Sequence, residues 1–221
     1  MPSQTLATEL APPAAEQRKA RAMEPWLFPV FFLSGSAALV YQVVWQRALH
    51  GIYGIDILSV TIVVTAFMLG LGLGSLAGGA LSRRYPQAAV MLFALAEIGI
   101  GLYGAFSLRL FAVIADITHG IGHVAAGGVA FLLVVLPALL MGATLPLLVG
   151  HATSRSRNVG RSLGNLYFIN TLGAAFGAFL AARYLLGGLG LRATTHVAAA
   201  LNVLVGVLVM MVLRRRRRGE P

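Results

Sequence analysis

Six long apolar runs fill the chain between Trp26 and Leu213, and the basic residues between them fall alternately on one side and the other. A segment that crosses the hydrocarbon core of a bilayer needs about 20 predominantly apolar residues. The runs Trp26–Arg47, Ile57–Ala80, Ala88–Phe106, Val124–Gly150, Ser162–Leu185 and Leu191–Leu213 meet that requirement. The cut between the third and fourth is the least sharp. Ser107–His123 is too polar for a clean span and too apolar for a plain loop. Charged residues make up only 11% of the chain, against about 25% in soluble domains. The pattern predicts an all-α, polytopic membrane protein. Residues 1–24 read as a disordered cytoplasmic tail, 25–213 as a six-helix membrane domain and 214–221 as a basic cytoplasmic tail.

The net charge of +10 raises nucleic acid as a partner, and its distribution argues against it. With the N-terminus in the cytoplasm, 13 Lys and Arg fall on the inner side and 4 (Arg47, Arg109, Arg183 and Arg192) on the outer side. That asymmetry obeys the positive-inside rule. It predicts a multi-pass protein of the bacterial inner membrane with both termini cytoplasmic, whose first partner is the lipid bilayer. The run Arg214–Arg218 is expected near anionic headgroups. The first span has 22 residues and no A-x-A site follows it, so it is expected to remain uncleaved. The chain has no cysteine, which excludes disulfides and thiolate metal sites.

Shifting the sequence by 99 overlays Leu73–Tyr85 on Leu172–Tyr184, with six of thirteen positions identical. The same shift places the first span on the fourth and the third on the sixth. A unit of three helices is odd, so its two copies cross the membrane in opposite senses. This 3+3 inverted repeat is an arrangement common in secondary transporters.

Two GxxxG faces, Gly74 with Gly78 and Gly173 with Gly177, let helix backbones approach closely. The run Gly70-Leu-Gly72-Leu-Gly74 lies within an apolar span and follows no strand, so it is not a nucleotide loop. Glu97 is the one carboxylate in the middle of a span. A charge at that depth costs on the order of 3 kcal/mol and needs a partner, a cavity or a proton. Ala94, Gly101 and Gly104 share its helical face, which turns it towards another helix. It serves either as a proton or cation site or as a structural hydrogen-bonded group. On the first span Ser34, Tyr41, Gln42 and Trp45 form a stripe that either lines a pathway or, through its aromatic members, marks the membrane interface. Pro137 and Pro146 break the hydrogen-bond ladder of the fourth span. Asn170 shares a face with Gly173 and Gly177 and is a candidate for interhelical or substrate hydrogen bonds. Asp116, His119 and His123 have helical spacing, but Gly120 and Gly122 interrupt it. Neither a metal site nor a cofactor is expected.

Several stretches together resemble one family. They are Phe31–Arg47, Ala66–Ser75, Ala96–Tyr103, Leu140–Pro146 and Gly160–Gly173. The chain is similar to the membrane domain of the bacterial spermidine-synthase-like integral membrane proteins, the fused major-facilitator/spermidine synthase family. Members commonly continue into a soluble aminopropyltransferase-like domain. This sequence stops at Pro221 without it, so no catalytic residues are carried over and the chain is expected not to be an enzyme. Gly79–Arg84 resembles the loop between the second and third helices of major-facilitator transporters, with Ser82 where that loop has an acidic residue.

The resemblance implies a membrane subunit that handles polyamines or small cations as a half-transporter, or that anchors a separate aminopropyltransferase-like enzyme. Glu97 would supply negative charge, and Asn170, Gln42 and Tyr41 hydrogen bonds. Half the size of a twelve-helix transporter implies a homodimer or a hetero-complex, with the glycine faces as contact surfaces. The other reading is a structural subunit or assembly factor of a larger membrane complex.

Overall fold

The computed structural model describes residues 24–53, 56–118, 123–156 and 158–218, and the tail before Glu24, together with His119, lies outside them. Every element among the described residues is helical. They are α1 (Leu27–Tyr53), α2 (Asp56–Arg84), a short 3-10 turn (Pro86–Ala88), α3 (Ala89–Ile117), α4 (His123–Ser156), α5 (Val159–Leu180), a π-helical turn (Ala181–Leu185) and α6 (Leu186–Arg217). Five helical stretches are long and apolar enough to cross a membrane, where the sequence suggested six. The difference lies at the end of the chain. Val159–Arg216 forms one 58-residue helical stretch, yet its backbone leaves helical geometry at Gly190, with φ 75° and ψ 176°. Only glycine takes that conformation without steric cost.

The third helix runs to Ile117, well past the Phe106 expected from the sequence. Ser107 does not end it, because its hydroxyl donates to the Gly104 carbonyl at 2.8 Å and is satisfied within the helix.

Lipid tails are as apolar as leucine, so helices in a bilayer associate through close packing and hydrogen bonds. The glycines supply the close packing. A Cβ on Gly74 or Gly78 of α2 would overlap the backbone of Leu139 or Ala143 on α4. Gly142 of α4 is pressed in turn against the backbone of Leu71. Gly173 and Gly177 of α5 meet Phe32 and Ser36 of α1, and Gly35 of α1 meets Asn170. Gly101 of α3 lies against Ala199 and Val203 of α6, and Gly206 lies against Ala94 and Ile98. Both GxxxG faces are therefore occupied within the chain. That corrects the expectation that they would be the contact surfaces between copies.

The core forms two clusters along the bundle. One gathers Tyr41, Trp45, Phe67 and Phe111. The other gathers Phe31, Phe93, Leu147 and Leu166. Tyr41 and Trp45 are fully buried, which corrects the reading of them as an interfacial belt. Their rings stack 5.0 Å apart, and the Trp45 indole N–H donates to Ser107 Oγ at 3.0 Å.

Pro137 and Pro146 both lie inside α4. Pro137 has no N–H to give to the carbonyl four residues back, that of Leu133. Tyr103 of α3 donates its hydroxyl to that carbonyl at 2.6 Å.

Two substitutions test this packing. Gly74→Leu should destabilise the protein by about 1–3 kcal/mol through overpacking, whereas Gly72→Leu, which meets open space, should be neutral in thermal unfolding in detergent. Equal losses would remove the α2–α4 contact as the cause. Tyr103→Phe should cost about 1 kcal/mol by leaving the part-buried Leu133 carbonyl unpaired, and denaturant or thermal midpoints in detergent would register it.

Candidate functional site

Glu97 sits on α3 with no exposed surface. Ser34 of α1 donates to Oε1 at 2.5 Å, and the Asn202 side-chain amide of α6 donates to Oε2 at 2.6 Å. Three helices therefore converge on one carboxylate. Small residues make this possible. Gly101 lies one turn beyond Glu97, and Gly206 one turn beyond Asn202. Through both, the α3 and α6 backbones close on either side of the pair. Gly104, a turn further along α3, leaves room for the Tyr41 ring, which a Cβ there would strike.

Donors to both oxygens of a carboxylate are charge-assisted hydrogen bonds and offset much of its desolvation. Two other polar atoms nearby are unmatched. Asn202 Oδ1 and the Tyr41 hydroxyl are buried without a hydrogen-bond partner. Buried polar groups in native structures are nearly always paired. A carboxylate, an amide oxygen and a phenol hydroxyl thus lie close together in the packed interior, and the first two are acceptors. Their complement is a proton or a small positively charged donor.

Of the residues singled out in the sequence, Glu97 and Tyr41 fall in this region. Asn170 does not bond Glu97, and its oxygens lie against Gly35 of α1. Gln42 is half-buried beside Tyr41. Asn202 was missed. The signal available was an Asn in the middle of an apolar run, Leu201-Asn202-Val203, where an unpaired amide is as costly as it is in any core.

A second polar cluster joins the start of α1 to the ends of α4 and α6. Glu24 binds both guanidinium nitrogens of Arg216, at 2.9 and 2.6 Å, and Arg155 at 2.9 Å. The Trp26 indole N–H donates to the same carboxylate, and His151 Nε2 lies 3.7 Å away. Arg216 also stacks over the Trp26 ring at 5.9 Å. Burial alone would push the Glu24 carboxyl up. The contacts with His151, Arg216 and Trp26, and the Arg216 charge, outweigh burial and hold it well below the usual carboxylate range.

At the other end of the bundle a cavity of about 560 Å³ opens beside Gln46, Arg47, His50, Val60, Leu186, Gly190 and Leu191. Among the described residues no group of three or more His, Cys, Asp or Glu could hold a metal ion. His119 of the spaced Asp116, His119 and His123 set lies outside the described residues.

Comparison with known proteins adds a distant likeness. Over 191 residues, 86% of this chain, it is 27% identical to polyamine aminopropyltransferase 1 of Streptomyces coelicolor, covering 34% of that protein. Over 189 residues, 84% of the chain, it is 26% identical to polyamine aminopropyltransferase 2 of the same organism, covering 33% of it. The chain thus spans about a third of the length of these curated relatives. No family model matches it, and no solved structure does. These matches correct the expectation that the chain is not an enzyme, since the relatives it aligns with over most of its length are named as enzymes. The expectation rested on the lack of a recognisable catalytic domain in the sequence. A membrane domain can belong to an enzyme without carrying them.

The Glu24 cluster yields a pH test. A carboxyl held low in the folded state stabilises the fold above its ordinary pKa of about 4.3 and loses that effect as pH falls through its folded value. Glu24→Gln should therefore be less stable than wild type near neutral pH. The difference in thermal midpoint should shrink in acid. A difference that stays constant into strong acid would assign the effect to packing.

Proposed function

We propose that this chain is the membrane domain of a polyamine aminopropyltransferase-type protein of the fused major-facilitator/spermidine synthase family. In this reading it crosses the bacterial inner membrane six times with both termini cytoplasmic, and Glu97 is the group that takes up a proton or an amine cation. The observation that carries the reading is the fully buried Glu97, bonded by Ser34 and Asn202 beside the unmatched Tyr41 hydroxyl. The likeness to the two aminopropyltransferases supports the polyamine class.

The sixth crossing rests on Gly190. Its positive φ provides the turn at which a 58-residue stretch, nearly three times the roughly 20 residues a single crossing needs, doubles back. The 3+3 inverted repeat is supported by the way the contacts pair. Gly74 on Leu139 is answered by Gly173 on Phe32, and Gly78 on Ala143 by Gly177 on Ser36. Gly142 on Leu71 is answered by Gly35 on Asn170, and Gly101 on Ala199 by Gly206 on Ala94. The sequence step differs among the three helix pairs, so the single shift of 99 suits only α2 and α5. Glu97 and Asn202 exchange with each other under this operation. Their hydrogen bond then lies on the pseudo-two-fold axis, where inverted-repeat transporters bind substrates and coupling ions.

Polyamine movement requires a partner if six helices are half of a pathway, and a homodimer or a hetero-complex supplies it. The length of the relatives favours a second role, in which the bundle anchors an aminopropyltransferase domain, attached or separate, at the cytoplasmic face. The test is spermidine flux into proteoliposomes under an imposed pH gradient. Wild type should couple amine and proton movement, and Glu97→Gln should lose the coupling while keeping its fold. Flux that is absent in wild type, or unchanged in the variant, would remove the transport role. Anchoring, or a purely structural subunit, would then remain.

A further inference from the structure

We propose that the cleft between α3 and α6 that holds Arg109 and Arg192 is a binding site for a phosphate-type oxyanion, distinct from the Glu97 site and independent of its role. The cleft encloses about 90 Å³ and is lined by Ala105, Leu108, Arg109, Arg192, Thr195 and His196. Ala105, Leu108 and Arg109 are spaced three and four apart on α3. Arg192, Thr195 and His196 have the same kind of spacing on α6. Each set therefore occupies one helical face, and the two faces look into the same space. Two guanidinium groups and an imidazole meet there.

Among the described residues neither arginine has an ion pair. Among the described residues the ion pairs all belong to Glu24, and Asp116, exposed two turns further along α3, bonds neither arginine. The Thr195 hydroxyl is already used, donating to the Leu191 carbonyl at 2.8 Å, so the walls of the cleft present positive charge with no anionic group. The basic residues also lie at the end of the bundle opposite the arginine-rich tail, where positive charge is scarce: only four of the seventeen Lys and Arg belong to it in the sequence assignment. Two of those four share this one cleft.

The frame around them is rigid. Gly101 locks α3 on α6 two turns from Arg109, and Ser107, two residues from it, is held by Trp45. The arginine forks are thus presented from fixed backbones. A planar fork matches the oxygens of a phosphate in two parallel hydrogen bonds. The volume admits one oxyanion and lies far below the roughly 300–1,000 Å³ of sites for drug-sized ligands, so a nucleotide does not fit inside. The phosphate of a lipid headgroup and a free phosphate ion offer the same chemistry.

The experiment compares full-length chain, delipidated in a neutral detergent, as wild type, Arg109→Gln/Arg192→Gln and Arg192→Lys. Sodium phosphate and, separately, short-chain phosphatidylglycerol are titrated against thermal unfolding, with sodium chloride at matched ionic strength as the blank. Wild type should be stabilised by ligand mass action. The double variant should bind roughly tenfold or more weakly, as expected when charged hydrogen bonds are lost. Arg192→Lys, which keeps the charge and loses the fork, should fall between. A response to phosphate identifies a free oxyanion, and a response to the lipid alone identifies a headgroup. No response to either ligand, or a response that the double variant retains in full, overturns the site. Both arginines are exposed, so the variants are expected to fold, and their unliganded midpoints check this.

Discussion

Close contact between helix backbones is what the rest of this structure depends on. Six glycines of α1, α2, α4 and α5 meet carbonyls of a facing helix so tightly that a methyl group would not fit. Without that approach the bundle would rest on side-chain contacts that lipid can match. The same closeness governs the polar interior. Ser34 and Asn202 are short side chains. They reach Glu97 at 2.5 and 2.6 Å only because α1 and α6 lie so near α3. Packing and electrostatics are thus one design, with small residues setting the distance over which a buried carboxylate finds its donors.

Much of this was legible in the sequence. The apolar runs gave the helical class because a span of hydrocarbon demands a minimum length, and Glu97 stood out because a mid-span charge demands a reason. Its small-residue face at Ala94, Gly101 and Gly104 pointed towards another helix, and Gly104 and Gly101 are indeed filled by Tyr41 and α6. Other features were hidden for physical reasons. Spacing shows which residues share a face, and it does not show which helix that face meets. The GxxxG stripes therefore read equally well as contacts between copies or contacts within the chain. Tyr41 and Trp45 are residue types that suit both interface and core, and only the fold separates the two. Asn202 and Glu24 carry no motif, and their importance comes from partners 105 and 192 residues away.

The two polar clusters differ in kind. Glu24 lies at one end of the bundle, where it is surrounded by permanent cations on the ends of α4 and α6. It acts as a fastener. Glu97 has only neutral donors, and two polar atoms near it have no match. The Glu24 cluster is held by permanent charges, although His151 Nε2 beside it is buried without a hydrogen-bond partner. The Glu97 cluster is held by neutral hydrogen bonds alone.

The bond from Tyr103 to the Leu133 carbonyl carries a mechanical consequence. Pro137 opens a gap in the ladder of α4, and the group that fills it belongs to α3. The two helices therefore share a hydrogen bond that each would otherwise have kept to itself. Glu97 lies on the same helix as Tyr103, less than two turns away. A shift or roll of α3 that follows a change at Glu97 must either carry the weak point of α4 along or break its one external support. The proline thus ties α4 to α3, because whatever moves Tyr103 acts on the α4 backbone at the turn that lacks its own bond.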